Sequence, residues 1–204
     1  IGSNPNTATA SNKINCLYQQ GPEKTVEAVT KITGIDVKYY AVIDTKALVK
    51  LVDLLGGVDF EVPIDMKYDD YSQKLHIDLK AGYQHLNGEQ AEQVVRFRHN
   101  NNGSTYSEEY GQEDLGRMRT QREFIQETLK QLVKFENVTK VLDVIDITFK
   151  NIKTDLSMQT IKYYIPYIFK FNMQNIQTGT LPGASEQCNG IWIYVANSRK
   201  TKEL

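Results

Sequence analysis

Two short stretches concentrate arginine in an otherwise neutral chain. The first, VVRFRH, places Arg96 and Arg98 two residues apart. If this stretch is extended, both guanidinium groups lie on one side of the backbone. A guanidinium presents planar N–H donors that match phosphate oxygens in pairs. The Arg-x-Arg pair therefore indicates contact with a phosphate-like anion.

The second stretch, DLGRMRTQR, has the composition of a helix. On a helix, Asp114, Arg117 and Gln121 fall at i, i+3 and i+7, which is one stripe of the surface. Asp114 lies near the predicted helix start, where it can cap the helix or orient an arginine. We therefore expect Arg117 and Gln121 to converge with Arg96 and Arg98 on one anion pocket.

Spacing alone also allows a simpler interpretation, a solvated helix face whose arginines form salt bridges with Glu89, Glu92 or Asp114. A second polar segment, around MKYDDY, carries carboxylates that could hold a metal or bond hydroxyl groups, but acidic turns are common. The sequence contains no phosphate-binding P-loop, no Gly-x-Ser-x-Gly and no His-Glu-x-x-His motif.

Alternating helical and strand patterns surround both arginine stretches and predict an α/β sheet covered by helices. The segment 99–112 between them has loop composition, and we expect it to be mobile. Strands are predicted in VKYYAVID, at Val58–Val62, and in LHIDL, QNIQTGTL and IWIYVAN. Three helices are predicted before the loop: from Glu23 to Gly34, from a Thr45 cap to Gly56, and from an Asn87–Gln90 capping box through Val95. A long helix is predicted from Asp114 to about Phe135. Two more are predicted after it, one following Asn137 that includes Val141, Leu142 and Ile145, and one from a Ser157 cap with an interruption at Pro166.

Net charge argues against one class of protein, and the chain ends suggest a piece of a longer protein. The 204 residues carry a net charge of -1, which argues against a dedicated nucleic-acid binder. No apolar run reaches the length of a membrane helix, and no signal peptide opens the chain. The chain begins at Ile1 in a stretch rich in Gly, Ser, Asn and Thr, so we interpret it as a piece of a longer protein, with residues 1–11 flexible and residues 12–204 forming the domain.

Two cysteines, Cys16 and Cys188, lie near opposite ends of the chain. They could be two buried thiols, or they could form one long-range disulfide, which would imply an extracytoplasmic protein. The sequence leaves both possibilities open.

Several stretches, in this order, resemble the LytR-CpsA-Psr family of cell-wall glycopolymer ligases. The resemblance runs from about Asn12 to the terminal TLPG and IWIYV segments. LGGVDFEVP, LNGEQA followed by VRFRH, and DLGRMRTQ are jointly specific. The longer stretches are KINCLYQQGPEKTVEAVTKITGIDVKYYAVID, LVDLLGGVDFEVPIDMKYDD, LHIDLKAGYQHLNGEQAEQVVRFRH and DLGRMRTQREF.

The resemblance implies an α/β fold with a central mixed β-sheet flanked by helices on both faces, and a long apolar pocket for a polyprenyl chain. It implies a phosphotransferase that moves teichoic acid, capsule or a related glycopolymer from a polyprenyl-pyrophosphate carrier to a peptidoglycan acceptor. Such proteins are membrane-anchored through an N-terminal segment, with the catalytic domain outside the cell, mainly in Gram-positive bacteria. Mg²⁺, or Mn²⁺, is the implied cofactor.

Residue by residue, the resemblance gives catalytic and pyrophosphate-binding roles to residues of both arginine stretches. Arg96 and Arg98 match the family's arginine pair, and Asp114, Arg117 and Gln121 match its Asp-x-x-Arg-x-x-x-Gln signature. Lys13 matches the lysine of a Lys-Ile-Asn segment and is expected to add to pyrophosphate binding.

The sequence departs from the family pattern at a few points. The family often has Arg and Gln where this chain has Thr120 and Arg122, and the 99–112 loop is longer than usual. The strands that carry the family's metal-binding aspartates are expected upstream of Ile1, so no metal site is expected in this chain. We therefore expect this piece alone to be inactive. The alternatives to transfer are a polyprenyl-phosphate- or pyrophosphate-binding module, or a pyrophosphatase.

Overall fold

The computed structural model describes residues 9, 11, 13–133, 144, 150–168, 170, 178–201 and 203. Nearly all of the stretch predicted to be flexible, residues 1–11, lies outside the described residues. Val141, Leu142 and Ile145, which predict a helix after Asn137, also lie outside the described residues, as does the first half of the predicted strand QNIQTGTL. The chain divides into two compact units, one of Ile1–Val42, Thr154–Ile161 and Gly179–Leu204, the other of Ile43–Lys153 and Lys162–Thr178.

The described residues form both helices and strands, which confirms the predicted α/β class, although β2 to β5 follow one another without a helix between them. The described helices are α1 (Ile14–Leu17), α2 (Pro22–Thr33), α3 (Thr45–Leu55), α4 (Gly88–Arg96), α5 (Glu113–Val133), α6 (Met158–Ile168) and α7 (Ser198–Thr201). The described strands are β1 (Ala41–Ile43), β2 (Val58–Val62), β3 (Met66–Asp70), β4 (Leu75–Leu79), β5 (Gly82–Leu86), β6 (Ile152–Thr154), β7 (Gly183–Cys188) and β8 (Ile191–Ala196). Antiparallel pairing joins β2 with β5, β3 with β4 and β7 with β8, so the described strands form two-stranded ladders.

The core of the second unit lies between β2 and the helices α4 and α5. Val58, Phe60 and Val62 alternate inward along β2, as predicted, and each is at most 2% exposed. The Phe60 ring meets Phe124 of α5 edge to face, with ring centroids 5.2 Å apart. Burial of Phe124 and of Val94 on α4 fixes both helices on this core, and these are the helices that carry the candidate site.

The LNGEQA segment positions α4 through two local devices. Asn87 and Gln90 form the predicted capping box, each side chain bonding the other's backbone N–H. Gly88 lies so close to α3 that a Cβ there would be 2.4 Å from the Val49 carbonyl oxygen. The Gly88 N–H also donates to Asp53 Oδ1 at 2.7 Å. Glycine at this position therefore sets the close packing of α4 on α3.

The start of α3 differs by one residue from the prediction. Asp44, not Thr45, is the N-cap, and its Oδ1 accepts a hydrogen bond from the Ala47 N–H at 2.7 Å. A carboxylate at this position satisfies an orphan N–H and carries a full negative charge toward the positive helix end. The predicted stop at Gly56 is confirmed, because Gly56 takes the left-handed conformation at the C-cap.

The first unit contains α1, α2, α7 and the β7–β8 hairpin. Lys13 is the N-cap residue of α1, with an extended backbone. Cys16 and Cys188 are thiols in the structure, and no disulfide joins them. No helix among the described residues is both long enough and apolar enough to cross a bilayer.

Candidate functional site

Arg96 and Arg98 lie in different backbone conformations, so the condition of a single extended stretch is not met. Helix α4 continues through Arg96, and the chain becomes extended at Phe97. Val94 and Phe97, three residues apart, are both fully buried. Arg96 contacts Glu92 Oε1 through Nη1 at 3.0 Å and donates through Nη2 to Gln73 Oε1 at 3.0 Å.

Arg98 and Arg117 meet at one carboxylate oxygen. Arg98 Nε lies 3.4 Å from Asp114 Oδ1, and Arg117 Nη2 lies 2.8 Å from the same oxygen. Arg98 Nε also lies 2.7 Å from Glu113 Oε2. We call Arg98, Glu113, Asp114 and Arg117 the arginine cluster. Both guanidinium groups are partly open to solvent, with side-chain exposures of 48% for Arg98 and 36% for Arg117.

Gln121 is fixed to helix α4 by its own side chain. Its Nε2 donates to the Val95 carbonyl oxygen at 2.8 Å, one residue before Arg96. This bond uses one amide donor and ties α5 to the last turn of α4. The structure therefore joins Arg98, Asp114 and Arg117 directly. Arg96 instead contacts Glu92 of its own helix and Gln73, and Gln121 contacts the Val95 carbonyl of α4.

The loop 99–112 is tied to strand β3 by side-chain hydrogen bonds, and its mobility stays a prediction. Asn100 Oδ1 accepts a hydrogen bond from the Lys67 N–H at 2.5 Å, and Asn101 Oδ1 accepts one from the Asp69 N–H at 2.7 Å. These asparagines complete the hydrogen bonding of β3 along one edge. Composition suggested a free loop, but asparagine side chains can replace a neighbouring strand.

Tyr106 seats the same loop on helix α5. Its ring is 2% exposed and meets Phe97 edge to face at 5.4 Å. A Cβ on Gly116 would lie 2.2 Å from this ring and 2.2 Å from the Gly111 carbonyl oxygen. The glycine of DLGRMR is therefore needed for the loop to pack beside the arginine cluster.

Tyr110 adds a second anchor between the loop and α5. Its hydroxyl donates to Glu123 Oε2 at 2.7 Å and lies 3.0 Å from Thr120 Oγ1. Arg119 pairs with Glu123 at 2.8 Å and lies over the Tyr110 ring at 4.3 Å. Burial raises the pKa of Tyr106 to about 12, and burial together with the Glu123 carboxylate raises the pKa of Tyr110. Both phenols are therefore neutral at physiological pH.

The acids near β3 do not fit a magnesium or manganese site. Asp65 pairs with Lys80 at 3.0 Å, and Asp69 lies 2.6 Å from the His76 ring nitrogen. Hydrogen bonds from Ser72 and the following backbone hold the pKa of Asp70 below its ordinary value. Each carboxylate is already used within its own hairpin, and the described part of the chain holds no cluster of three or more metal-binding side chains.

Glu113 and the loop tyrosines are the site features that sequence patterns missed. Glu113 lies one residue before the predicted stripe, and an acid beside an aspartate at a loop–helix junction is the signal that could have identified it. Lys13 belongs to the first unit, and its role in pyrophosphate binding stays a prediction.

The chain is similar in sequence to one protein family and to several curated proteins. The model of the LytR_cpsA_psr family matches residues 2–204. The polyisoprenyl-teichoic acid–peptidoglycan teichoic acid transferase TagU of Bacillus cereus is 27% identical over 196 residues, which cover 95% of this chain and 59% of TagU. The regulatory protein MsrR of Staphylococcus aureus is 33% identical over 145 residues, which cover 71% of this chain and 40% of MsrR.

A solved structure supports the same fold. The crystal structure of TagV from B. subtilis matches with a TM-score of 0.75 and 22% identity, covering 94% of this chain and 72% of TagV. At that identity the likeness shows the fold alone. The chain spans about half the length of the curated relatives it matches.

Proposed function

The chain belongs to the LytR_cpsA_psr family, and on that premise we propose that its arginine cluster binds the pyrophosphate of a polyprenyl-linked glycopolymer. The whole protein would transfer that polymer, a teichoic acid, capsule or related polysaccharide, to peptidoglycan. The transferase name of TagU supports this reaction class. We place the domain outside the cytoplasmic membrane, on an anchor in the longer protein.

One observation carries the proposal, namely that Arg98 and Arg117 converge on Asp114 Oδ1 while remaining partly exposed. Two guanidinium groups repel each other, so a shared anion is needed to hold them together. Phosphate oxygens offer the same chemistry as a carboxylate, with more acceptors and more charge. A ligand phosphate can therefore bridge the pair where the carboxylate now does.

The residues of the cluster would act by positioning and charge. In the transfer step, a sugar hydroxyl attacks the phosphorus that bears the polymer, a new P–O bond forms, and the P–O bond to the lipid phosphate breaks. Arg98 and Arg117 would neutralise the charge that accumulates on the leaving polyprenyl phosphate. The hydroxyl proton passes to solvent, and no covalent intermediate with the protein is required.

The proposal includes Mg²⁺ or Mn²⁺ only as an ion that residues outside the described acidic segment would hold. Asp65, Asp69 and Asp70 are committed to their hairpin partners, so we route no step through a metal at these residues. The same observation favours a second candidate for this chain taken alone, binding of the lipid pyrophosphate without turnover. We propose that the 204 residues alone transfer nothing.

The test compares transfer by the full-length protein and its Arg98→Ala and Arg117→Ala variants, with lipid-linked glycopolymer and peptidoglycan as substrates. Loss of a charged hydrogen bond worth about 1.5–3 kcal/mol should lower kcat/KM by about 10- to 150-fold. Arg199→Ala is the matched control, because the Arg199 side chain is 92% exposed and its described ion-pair partner is Glu203, which is not part of the arginine cluster. Unchanged transfer in both cluster variants would contradict the proposal. Release of polyprenyl phosphate together with soluble phosphorylated polymer, without transfer to peptidoglycan, would identify a pyrophosphatase.

A further inference from the structure

We infer that Glu113 is a built-in competitor of the ligand, an internal anion that occupies Arg98 and is displaced when a phosphate binds. The inference rests on the proposed function of the cluster and assigns to Glu113 the role of setting its affinity. Glu113 is a positioning residue in this account, since it acts through Arg98 and not on the reacting atoms.

The distances to Arg98 distinguish the roles of Glu113 and Asp114. Glu113 Oε2 lies 2.7 Å from Arg98 Nε, whereas Asp114 Oδ1 lies 3.4 Å from the same nitrogen. Asp114 is also 2.8 Å from Arg117, so it is shared between both arginines. Glu113 is therefore the nearer anion of Arg98, and Asp114 is the carboxylate that holds the pair together.

The backbone conformation fixes the position of Glu113 beside Arg98. Its φ angle is +53°, a left-handed conformation that glutamate rarely adopts. Its N–H donates to Thr105 Oγ1 at 3.1 Å, and the Thr105 hydroxyl donates to the Arg98 carbonyl oxygen at 2.7 Å. Thr105 thus ties the backbones of Glu113 and Arg98 together, which keeps the carboxylate beside the guanidinium.

The pair is weak enough to be displaced. The Glu113 and Arg98 side chains are 42% and 48% exposed, so water screens their attraction. A pyrophosphate brings several oxygens and a higher charge to the same donors, which favours exchange. The Glu113 carboxylate then moves to solvent. The observed binding free energy of pyrophosphate is therefore reduced by the free energy of the Glu113–Arg98 ion pair that it replaces.

The experiment measures binding of inorganic pyrophosphate by calorimetry to the wild-type chain and to Glu113→Gln. We expect about two- to fivefold tighter binding by the variant, the range that corresponds to removal of a half-exposed ion pair. Glu113→Asn is the second variant, because asparagine favours the left-handed backbone and also lacks the carboxylate. Glu109→Gln is the matched control, since Glu109 is exposed in the 99–112 loop and its loss changes the net charge equally. The control should change affinity by less than about 1.5-fold.

The outcomes separate this inference from the proposed function. If Arg98→Ala and Arg117→Ala abolish binding but both Glu113 variants bind no tighter than Glu109→Gln, Glu113 is not a competitor while the anion site stands. If the arginine variants bind as well as wild type, the anion site itself is wrong. If no variant binds pyrophosphate, both claims are overturned, because the Glu113 variants expose the arginine that should bind it.

Discussion

Single side chains decide which arginines are available to a ligand. Arg98 and Arg117 share Asp114, whereas Arg119 is stacked on Tyr110 and paired with Glu123. Arg96 is paired with Glu92 across one helical turn. The simpler interpretation of the sequence, a salt-bridged helix face, thus holds for Arg96 and Arg119. The proposed anion site therefore rests on Arg98 and Arg117.

Gln121 provides a prediction at this scale. Gln121→Met should lower the free energy of unfolding by about 1 kcal/mol, because it removes the bond to the Val95 carbonyl and leaves that oxygen partly buried. Urea denaturation measures the change. Gln126→Met on the same helix serves as the control, and equal stability of the two variants would show that the 2.8 Å bond contributes nothing.

At the scale of elements, α4, α5 and the 99–112 loop form the frame of the site. Helix α4 is placed by Gly88 against α3, and α5 is placed by Phe124 on the core. The loop then closes on α5 through Tyr106 and Gly116. The glycines and the asparagine cap of the family-like motifs therefore serve positioning, and under the proposed function the charged residues beside them would bind the ligand.

Gly116 provides the first prediction for this frame. Gly116→Ala should destabilise the chain by about 1–2 kcal/mol, although alanine favours helices by about 1 kcal/mol, because overpacking against the Tyr106 ring costs more. Thermal or urea unfolding measures the difference. Gly179→Ala is the control, since a Cβ there has no neighbour within 4 Å. A stabilised Gly116→Ala variant would mean that the loop does not pack as the structure has it.

Tyr106 provides a pH-dependent prediction. Burial raises its pKa from 10.0 to about 12, so above pH 10 the unfolded chain loses this proton while the folded chain keeps it. The unfolded state then binds fewer protons, and the free energy of unfolding must fall as pH rises from 10 toward 12. Tyr106→Phe should make that fall shallower in urea titrations across this range. Tyr71→Phe, at a site 93% exposed, should leave the slope unchanged, and an equal slope in all three proteins would refute the assignment.

The frame was predictable from sequence only where local signals are strong. The Asn87–Gln90 capping box, the Gly56 stop and the alternation of Val58, Phe60 and Val62 each act within a few residues, and the structure confirms them. Strands β3, β5, β6 and β7 were not predicted. Their sequences are short or rich in polar residues, so they carry no clear alternation of apolar and polar side chains.

The candidate site was predictable in part. Spacing on α5 identified Asp114 and Arg117, because i, i+3 neighbours must lie on one face. It did not identify Tyr106 as a core residue or Glu113 as a partner of Arg98, since both depend on how the 99–112 loop folds back. Contacts that are local in space but distant in sequence leave no periodic signal.

At the scale of the whole molecule, charge is balanced and any attraction for an anion must be local. The chain carries 24 basic and 25 acidic side chains, and the arginine cluster itself combines two arginines with two carboxylates. A net field does not draw a pyrophosphate to this chain. Under the proposed function, affinity would come from directed N–H donors that exchange a carboxylate for a phosphate, which would make individual arginines decisive.

The most direct measurement of this claim is the affinity of the chain for a soluble polyprenyl pyrophosphate, farnesyl pyrophosphate, with farnesol as the ligand that lacks the anion. Arg98→Ala and Arg117→Ala should each weaken binding of farnesyl pyrophosphate by about 10- to 150-fold and leave any binding of farnesol unchanged. The control variant Arg199→Ala should bind farnesyl pyrophosphate as wild type does. Equal affinity of wild type and both cluster variants for farnesyl pyrophosphate would contradict the account.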